Sequence, residues 1–329
     1  MRRFLPRPRA PWRKVDMARL PSELPVRDGL QVDWHCHSRW SDGGGTVPEL
    51  LEQASAVGVT LGISDHGLTD NARLRSPEQL GTYLADLEQW PVLRGLEISI
   101  GEVGPTPDKP DTRTDDERRM DAGQLPLTDD LRAALPRVTG VTYEEVMVRF
   151  DYVIASLHAV RVPEGLVHSS RFLNWRAGLY PSYRPALRHY ARRGYFETLL
   201  AALEQTAGRW PVRILGHFCL LPELANKEGV YRAQDEPEPD SEAAEWLDAV
   251  IQVCVRHGIA IEMNSKSRAP HAGFVERALE LGARFSLGSD AHQRHRAGDL
   301  SYGRLLVERL EIPSDRLMGV VDVLREKAA

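Results

Sequence analysis

Seven short apolar runs that end in polar residues constrain the fold of this 329-residue chain more than any other feature. The runs are LQVDWHCH (30–37), VTLGISDH (59–66), VLRGLEI (92–98), DYVIASLH (151–158), VRILGH (212–217), IAIEMN (259–264) and RFSLGSDAH (284–292). Continuous apolar runs of this length are typical of strands that are buried on both faces, as in parallel sheets. The pattern therefore predicts seven parallel strands.

Helical patterns separate these runs. Residues 46–58 begin with the capping box of Thr46 and Glu49 and end at Gly58. Residues 76–90 begin with Ser76 before a proline, which favours a helix start. Further helices are predicted over residues 186–207, 241–257, 272–282 and 314–327. Alternating strands and helices indicate a parallel α/β fold with right-handed crossovers.

Three stretches break this alternation. The first 20 residues contain seven Arg or Lys and one acidic residue, so residues 1–28 are predicted to form a basic, flexible arm. Residues 101–130 are rich in Pro, Gly and charge, and residues 161–185 mix aromatics, Arg and Pro without a period. Both are typical of long loops. We therefore expect one domain over residues 29–329, with loop insertions near 101–140 and 161–185.

Composition excludes several classes of protein. The net charge is −5, which does not favour binding of long nucleic acids, and no apolar run reaches the length of a membrane helix. The opening MRRFLP resembles a twin-arginine export signal but lacks the apolar segment that such a signal requires. The three cysteines form no disulfide framework or CxxC site. We expect a cytoplasmic protein without a membrane partner.

Histidines and acids are concentrated at the ends of the predicted strands. Six of the eleven histidines lie there, namely His35, His37, His66, His158, His217 and His292. The acids at equivalent places are Asp42, Asp65, Glu97 and Asp290. In α/β barrels the carboxyl ends of the strands meet at one rim, where the catalytic groups lie. These side chains are therefore expected to converge.

The stretch DWHCHSRWSD (33–42) permits three interpretations on its own: a metal site, a redox cysteine with histidine neighbours, or a polar strand end. Alternate residues of a strand face the same side, so His35 and His37 reach one cation together while Cys36 points away. Imidazole with carboxylate suits zinc, iron or manganese. Glu97 could bridge two cations, and two or three cations about 3.5–4 Å apart are typical of phosphoryl hydrolysis.

Seven motifs together resemble those of the PHP (polymerase and histidinol phosphatase) family. They are HCH (35–37), SDG (41–43), SDHG (64–67), GLE (95–97), SLH (156–158), LGH (215–217) and SDAH (289–292). The resemblance implies a distorted (β/α)7 barrel that binds two or three divalent ions, zinc, manganese or iron. It implies a first site of His35, His37, Glu97 and Asp290, a second of Glu97, His158 and His217, and a third of Asp42, His66 and His292. SDGGG around Asp42 is also compatible with a plain turn.

Within that family, the segments 190–204, 214–221 and 261–266 resemble stand-alone histidinol-phosphate phosphatases. The resemblance implies hydrolysis of L-histidinol phosphate by a metal-bridging hydroxide, in histidine biosynthesis. Alternatives are a phosphoesterase for nucleotides or short oligonucleotides and a non-catalytic barrel. Glu97, Asp290, His292 and Arg161 are the expected catalytic residues. The expected substrate contacts are Arg161, Asn264, Lys266 and Arg268.

Overall fold

The seven predicted strands lie side by side in one parallel sheet, and each run contributes the strand expected of it. In the computed structural model the described residues are 29–68, 74–100, 139–162, 165–168, 195–207, 209–218 and 242–323. The predicted arm (1–28), most of the first insertion and residues 169–185 of the second lie outside them. The strands are β1 Val32–Asp33, β2 Thr60–Ile63, β3 His66–Gly67, β4 Leu93–Ser99, β5 Tyr152–Ser156, β6 Ala159–Val162, β7 Gly165–His168, β8 Val212–Leu215, β9 Ala260–Asn264 and β10 Phe285–Gly288.

The sheet closes on itself as a barrel. Its strand order is β1-β2-β4-β5-β8-β9-β10, with β3 beside β4. Just beyond β1, the amide of Trp34 donates to the carbonyl of Leu287 at 3.0 Å, and the amide of Asp290 donates to the carbonyl of His35 at 2.7 Å. These bonds join the first strand to the last. The chain is therefore a distorted (β/α)7 barrel, as expected.

Helices cover the outside of the sheet. They are α1 Val47–Ala56, α2 Pro77–Leu87, α3 Tyr143–Met147, α4 Tyr195–Ala207, α5 Glu242–His257, α6 Ala272–Glu280 and α7 Ser301–Arg309. The capping box of α1 is confirmed, because the Glu49 carboxylate accepts the Thr46 amide at 2.8 Å. Among the described residues, no helix combines the length and apolar character needed to cross a membrane.

Four elements differ from the expectation. Helices α3 and α7 were not predicted; α3 has only five residues, too few to show a helical period. The predicted helix over 314–327 is wrong at its start, where Ser314–Arg316 is a 3-10 turn. The chain is helical at residues 320–323. Leu317 interrupts the predicted helix because it forms a bridge with Phe285 of β10. The predicted loop 161–185 begins instead as the antiparallel ribbon of β6 and β7.

An apolar plug fills the barrel below the strand ends. Trp34 and Tyr152 pack edge to face with ring centroids 5.0 Å apart, and the Tyr152 hydroxyl donates to the Trp34 carbonyl at 2.7 Å. The Tyr152 ring needs glycine on two neighbouring strands. A Cβ at Gly62 or Gly95 would lie 2.3 or 2.4 Å from its atoms. The polar groups above are thus separated from the barrel floor by a packed layer.

Candidate metal centre

The end of the first strand presents two histidines toward the barrel axis. His35 and His37 are fully buried, and their Nε2 atoms lie 3.0 Å apart. Cys36 points the other way, into the apolar layer between sheet and helices, where its Sγ lies 3.8 Å from the Ala291 carbonyl oxygen. The alternation expected of a strand is therefore present, and the cysteine lies outside the group of ligands.

Glu97 lies at the centre of the polar cluster. It is fully buried on β4, and His66 is its register partner on β3. Its Oε1 lies 2.9 Å from Nε2 of His217, 3.2 Å from Nε2 of His158 and 3.4 Å from Nε2 of His35. Its Oε2 lies 2.7 Å from Nδ1 of His66. One carboxylate thus faces histidines from four parts of the barrel rim.

Asp42 belongs to the cluster rather than to a plain turn. Its Oδ2 lies 3.0 Å from Nε2 of His292 and 3.5 Å from Nε2 of His66. Its Oδ1 lies 3.5 Å from Nδ1 of His37. Asp290 adjoins the same group, with its Oδ1 3.5 Å from Nε2 of His37. All nine residues expected as ligands therefore meet at one rim.

Within the described chain, three groups of side chains have donor atoms close enough together to hold an ion. They are His35, His37 and Glu97; His66, Glu97 and His158; and His37, Asp42, His66 and His292. The division differs from the expected one. His66 joins Glu97 as well as Asp42, and His37 joins the Asp42 group. His217 contacts Glu97 and His158, and Asp290 contacts His37, but neither residue belongs to any of these groups.

The donors fit divalent ions chemically. Two pairs of imidazole Nε2 atoms face each other, His35 with His37 at 3.0 Å and His158 with His217 at 3.1 Å. The buried Oε2 of Glu97 makes no hydrogen bond, despite its short contact with His66. Buried polar atoms without hydrogen bonds are rare in folded proteins. Nitrogen and carboxylate donors that converge in this way suit zinc, iron or manganese.

Strong coupling marks the electrostatics of the cluster. Burial alone would raise the pKa of Glu97, but His158, His66 and His35 hold it well below its usual range. Burial lowers the pKa of His37 to about 3, helped by His292 and His66. For His292 the effect of burial is outweighed by two carboxylates, Asp290 and Asp42, which raise its pKa to about 9. The cluster therefore combines neutral imidazoles, such as that of His37, with charged ones, such as that of His292, around ionised carboxylates.

Asp65 shapes the turn that carries Asp42. Its carboxylate is buried and accepts the backbone amides of Ser38 and Ser41 at 2.8 and 3.0 Å. It also accepts their hydroxyls, at 2.7 and 2.6 Å. Asp65 makes none of the described contacts to the ligand histidines. It positions residues 38–42, the role that the alternation of side chains along its strand predicts.

Comparison with known families agrees with this geometry. The sequence matches the family model of the PHP domain over residues 33–266. The chain belongs to the PHP family. The match ends before Asp290 and His292, so the barrel geometry, rather than the match, brings these two residues to the rim. No curated protein sequence matches the chain. PHP membership and the three donor groups together indicate a metal-dependent hydrolase.

The residues expected to contact substrate occupy different positions around this PHP centre. Lys266 is half-exposed, and its Nζ lies 3.1 Å from Oδ1 of Asp290 and 3.0 Å from Nδ1 of His292. Asn264 is buried, and its Oδ1 accepts the amide and hydroxyl of Ser267 at 2.9 Å each. Arg268 is exposed and has φ of 53°. Arg161 lies on β6, which begins directly after His158.

Sequence reasoning missed two buried acids that support the ligands. Glu262 on β9 contacts His35, and Asp33 accepts three backbone amides at the joint between the first and last strands: His35 at 3.2 Å, Ser289 at 2.9 Å and Gly298 at 2.9 Å. Burial raises the pKa of Asp33 to about 6. An acid inside an apolar strand was the available signal for both residues, because such a position buries a charge that needs partners.

Proposed function

We propose that the protein hydrolyses a small phosphomonoester, with L-histidinol phosphate as the first candidate substrate. The observation that carries the proposal is the set of three donor groups that share Glu97, His37 and His66, with the cation of Lys266 at their edge. Closely spaced ions beside a cationic side chain match the charge of a phosphate dianion. The intact donor set argues against a non-catalytic barrel. A cytoplasmic location remains a prediction.

The reaction adds water across the P–O ester bond, so that the oxygen of water ends on phosphorus and a proton ends on the leaving alcohol. Divalent ions held by Glu97, Asp290 and the histidines supply Lewis acidity and a hydroxide nucleophile at neutral pH. Lys266 is placed to neutralise a phosphoryl oxygen. With ions in the other two donor groups only, protonated His292, one quarter exposed, would give its proton to the leaving group. Arg161 is proposed as a further cation. No phosphorylated side chain forms.

Phosphate release with a panel of substrates tests the proposal. The purified full-length chain is assayed for bound metal and then supplied with L-histidinol phosphate, nucleoside monophosphates and an aryl phosphate. We expect release from L-histidinol phosphate to be fastest. Faster release from a nucleotide would favour the nucleotide phosphoesterase instead. No release from any substrate, with ions bound, would overturn the proposal. Trapping of a phosphorylated side chain during turnover would overturn the direct attack of water on phosphorus.

Paired variants make this assay specific to the site. Glu97→Gln removes the charge of the shared carboxylate and keeps its shape. We expect this variant to lose its bound ions and to stop releasing phosphate. Glu276→Gln makes the same chemical change on the exposed face of α6 and is the matched control. We expect the control to behave like the wild type. Equal loss of activity in both variants would argue against a catalytic role for the centre.

A further inference from the structure

Glu262 lies behind the metal centre and connects two of its histidines. No part of the residue reaches solvent. Its Oε1 lies 2.8 Å from Nδ1 of His35, and its Oε2 accepts the backbone amide of His217 at 2.5 Å. His35 follows the first strand and His217 follows β8, with β9 and β10 lying between them in the closed sheet. A single side chain therefore fixes ligands from two distant parts of the sequence.

The contact with His35 determines which ring nitrogen carries the proton. A carboxylate accepts hydrogen bonds, so Nδ1 of His35 keeps its proton when the ring is neutral, as the ring must be to bind an ion. The lone pair is then on Nε2, the atom that lies 3.0 Å from Nε2 of His37 and 3.4 Å from Oε1 of Glu97. Without Glu262, either tautomer would be available to this ring. Only the Nε2 lone pair faces the other donors.

The contact with His217 holds a backbone that would otherwise relax. His217 has φ of 25°, outside the regions that residues other than glycine usually occupy. Such conformations persist when surrounding bonds determine them. The bond from its amide to Glu262 holds the residue where its Nε2 lies 2.9 Å from Glu97 and 3.1 Å from His158.

Space for the carboxylate is provided by a glycine on the neighbouring strand. A Cβ at Gly288 of β10 would lie 2.0 Å from Oε1 of Glu262 and 2.9 Å from Cβ of His35. Any other residue at this position would displace the carboxylate or the ligand itself. The position of the Glu262 carboxylate thus depends on Gly288. A substitution at Gly288 can therefore displace the carboxylate while Glu262 itself is kept.

From these contacts we propose that Glu262 is a positioning residue for the metal centre. It selects the Nε2-ligating tautomer of His35 and fixes the backbone of His217, so that both rings are oriented before an ion arrives. The inference rests on the metal centre of the proposed function but does not depend on which substrate is hydrolysed. Supporting carboxylates of this kind change metal affinity by about 10- to 100-fold when they are removed.

Titration of metal-free, full-length protein with Zn²⁺ or Mn²⁺ tests the proposal, together with nitrogen NMR of the His35 ring in the Zn²⁺-bound protein, where the ring is neutral. In Glu262→Gln, the amide presents one oxygen and one NH2, so one of the two N–H groups loses its acceptor. We expect affinity to fall about 10- to 100-fold and the Nδ1-protonated tautomer of His35 to lose its dominance. Glu276→Gln is the matched control and should retain wild-type affinity and tautomer.

Gly288→Ala is the second variant, because it displaces the carboxylate and leaves Glu262 unchanged. We expect it to weaken metal binding in the same direction, and it gives the answer if Glu262→Gln fails to fold. Wild-type affinity together with an unchanged His35 tautomer in a folded variant would overturn the proposal. A wild-type protein that binds ions but releases no phosphate would overturn the phosphatase proposal alone, because the titration contains no substrate.

Discussion

Replacing Asp65 tests how the protein builds the turn that presents Asp42 to the metal centre. The Asp65 carboxylate accepts four hydrogen bonds, two from the backbone amides of Ser38 and Ser41 and two from their hydroxyls. Both serines are buried, so water cannot replace the lost acceptor. Alanine would leave the buried Ser38 amide without this partner, while the Ser41 amide would keep its bond to the Ser38 carbonyl at 3.2 Å. For one unsatisfied amide, the free energy of unfolding should fall by about 1–3 kcal/mol.

The Asp65→Asn variant separates the shape of the side chain from its charge. The amide oxygen can accept both backbone amides, and its NH2 can donate to the Ser38 hydroxyl oxygen. Burial raises the pKa of Asp65, so the charged form is itself costly in this position. We therefore expect asparagine to cost less than about 2 kcal/mol, since only the charge assistance to the hydrogen bonds is lost.

Urea unfolding of the metal-free protein measures both differences, and metal content after reconstitution measures the effect on the site. Asp315→Asn, on an exposed 3-10 turn, is the control for the chemical change. Unfolding free energies should decrease from wild type to asparagine to alanine, and the alanine variant should lose the ion that Asp42 helps to hold. An alanine variant within about 0.5 kcal/mol of wild type, with a full complement of ions, would refute the reasoning.

Three further predictions concern Tyr152 in the apolar plug, Lys266 at the edge of the metal centre, and pH. Tyr152→Phe should lower the free energy of unfolding by about 1–3 kcal/mol in urea, because the buried Trp34 carbonyl loses its hydroxyl donor, without changing metal content. Lys266→Ala should reduce kcat/KM about 10- to 150-fold in steady-state assays, the equivalent of one charge-assisted bond to phosphate. Metal affinity should rise between pH 6.5 and 9, because His292, with a pKa of about 9, must lose its proton to bind. Protonated His292 stabilises the metal-free protein fully below about pH 6.5. This stabilisation should be lost as the pH rises from about 6.5 to about 9, which urea unfolding measures.

The apolar runs predicted the parallel sheet because strands buried on both faces leave a continuous pattern that short polar strand ends interrupt. Its closure as a barrel was implied by the family resemblance. The same pattern predicted that the histidines and acids at the strand ends lie together at one rim. The ribbon of β6 and β7 was missed because its partners follow each other directly and its sequence, around Pro163, was typical of a loop. Such local pairing depends on register, which composition does not encode.

The division of ligands among sites could not be predicted from sequence. His66 and His37 each belong to two groups, and that assignment depends on distances between side chains of neighbouring strands. Glu262 was missed for a related reason. Its function depends on Gly288 one strand away and on the backbone of His217, and neither relation is visible in the spacing of residues along the chain.

The charges of the cluster explain how a barrel can bury so many polar groups before it binds ions. An unpaired buried charge costs several kcal/mol, and Glu97 and Asp290 are almost completely buried. Nearby histidines hold the pKa of both carboxylates well below the usual range, and carboxylates raise the pKa of His35 and His66 despite burial. Protons on histidine thus supply the positive charge in the metal-free protein. Divalent ions would take over that role, so protons on the histidines and divalent ions compete for the same group of side chains.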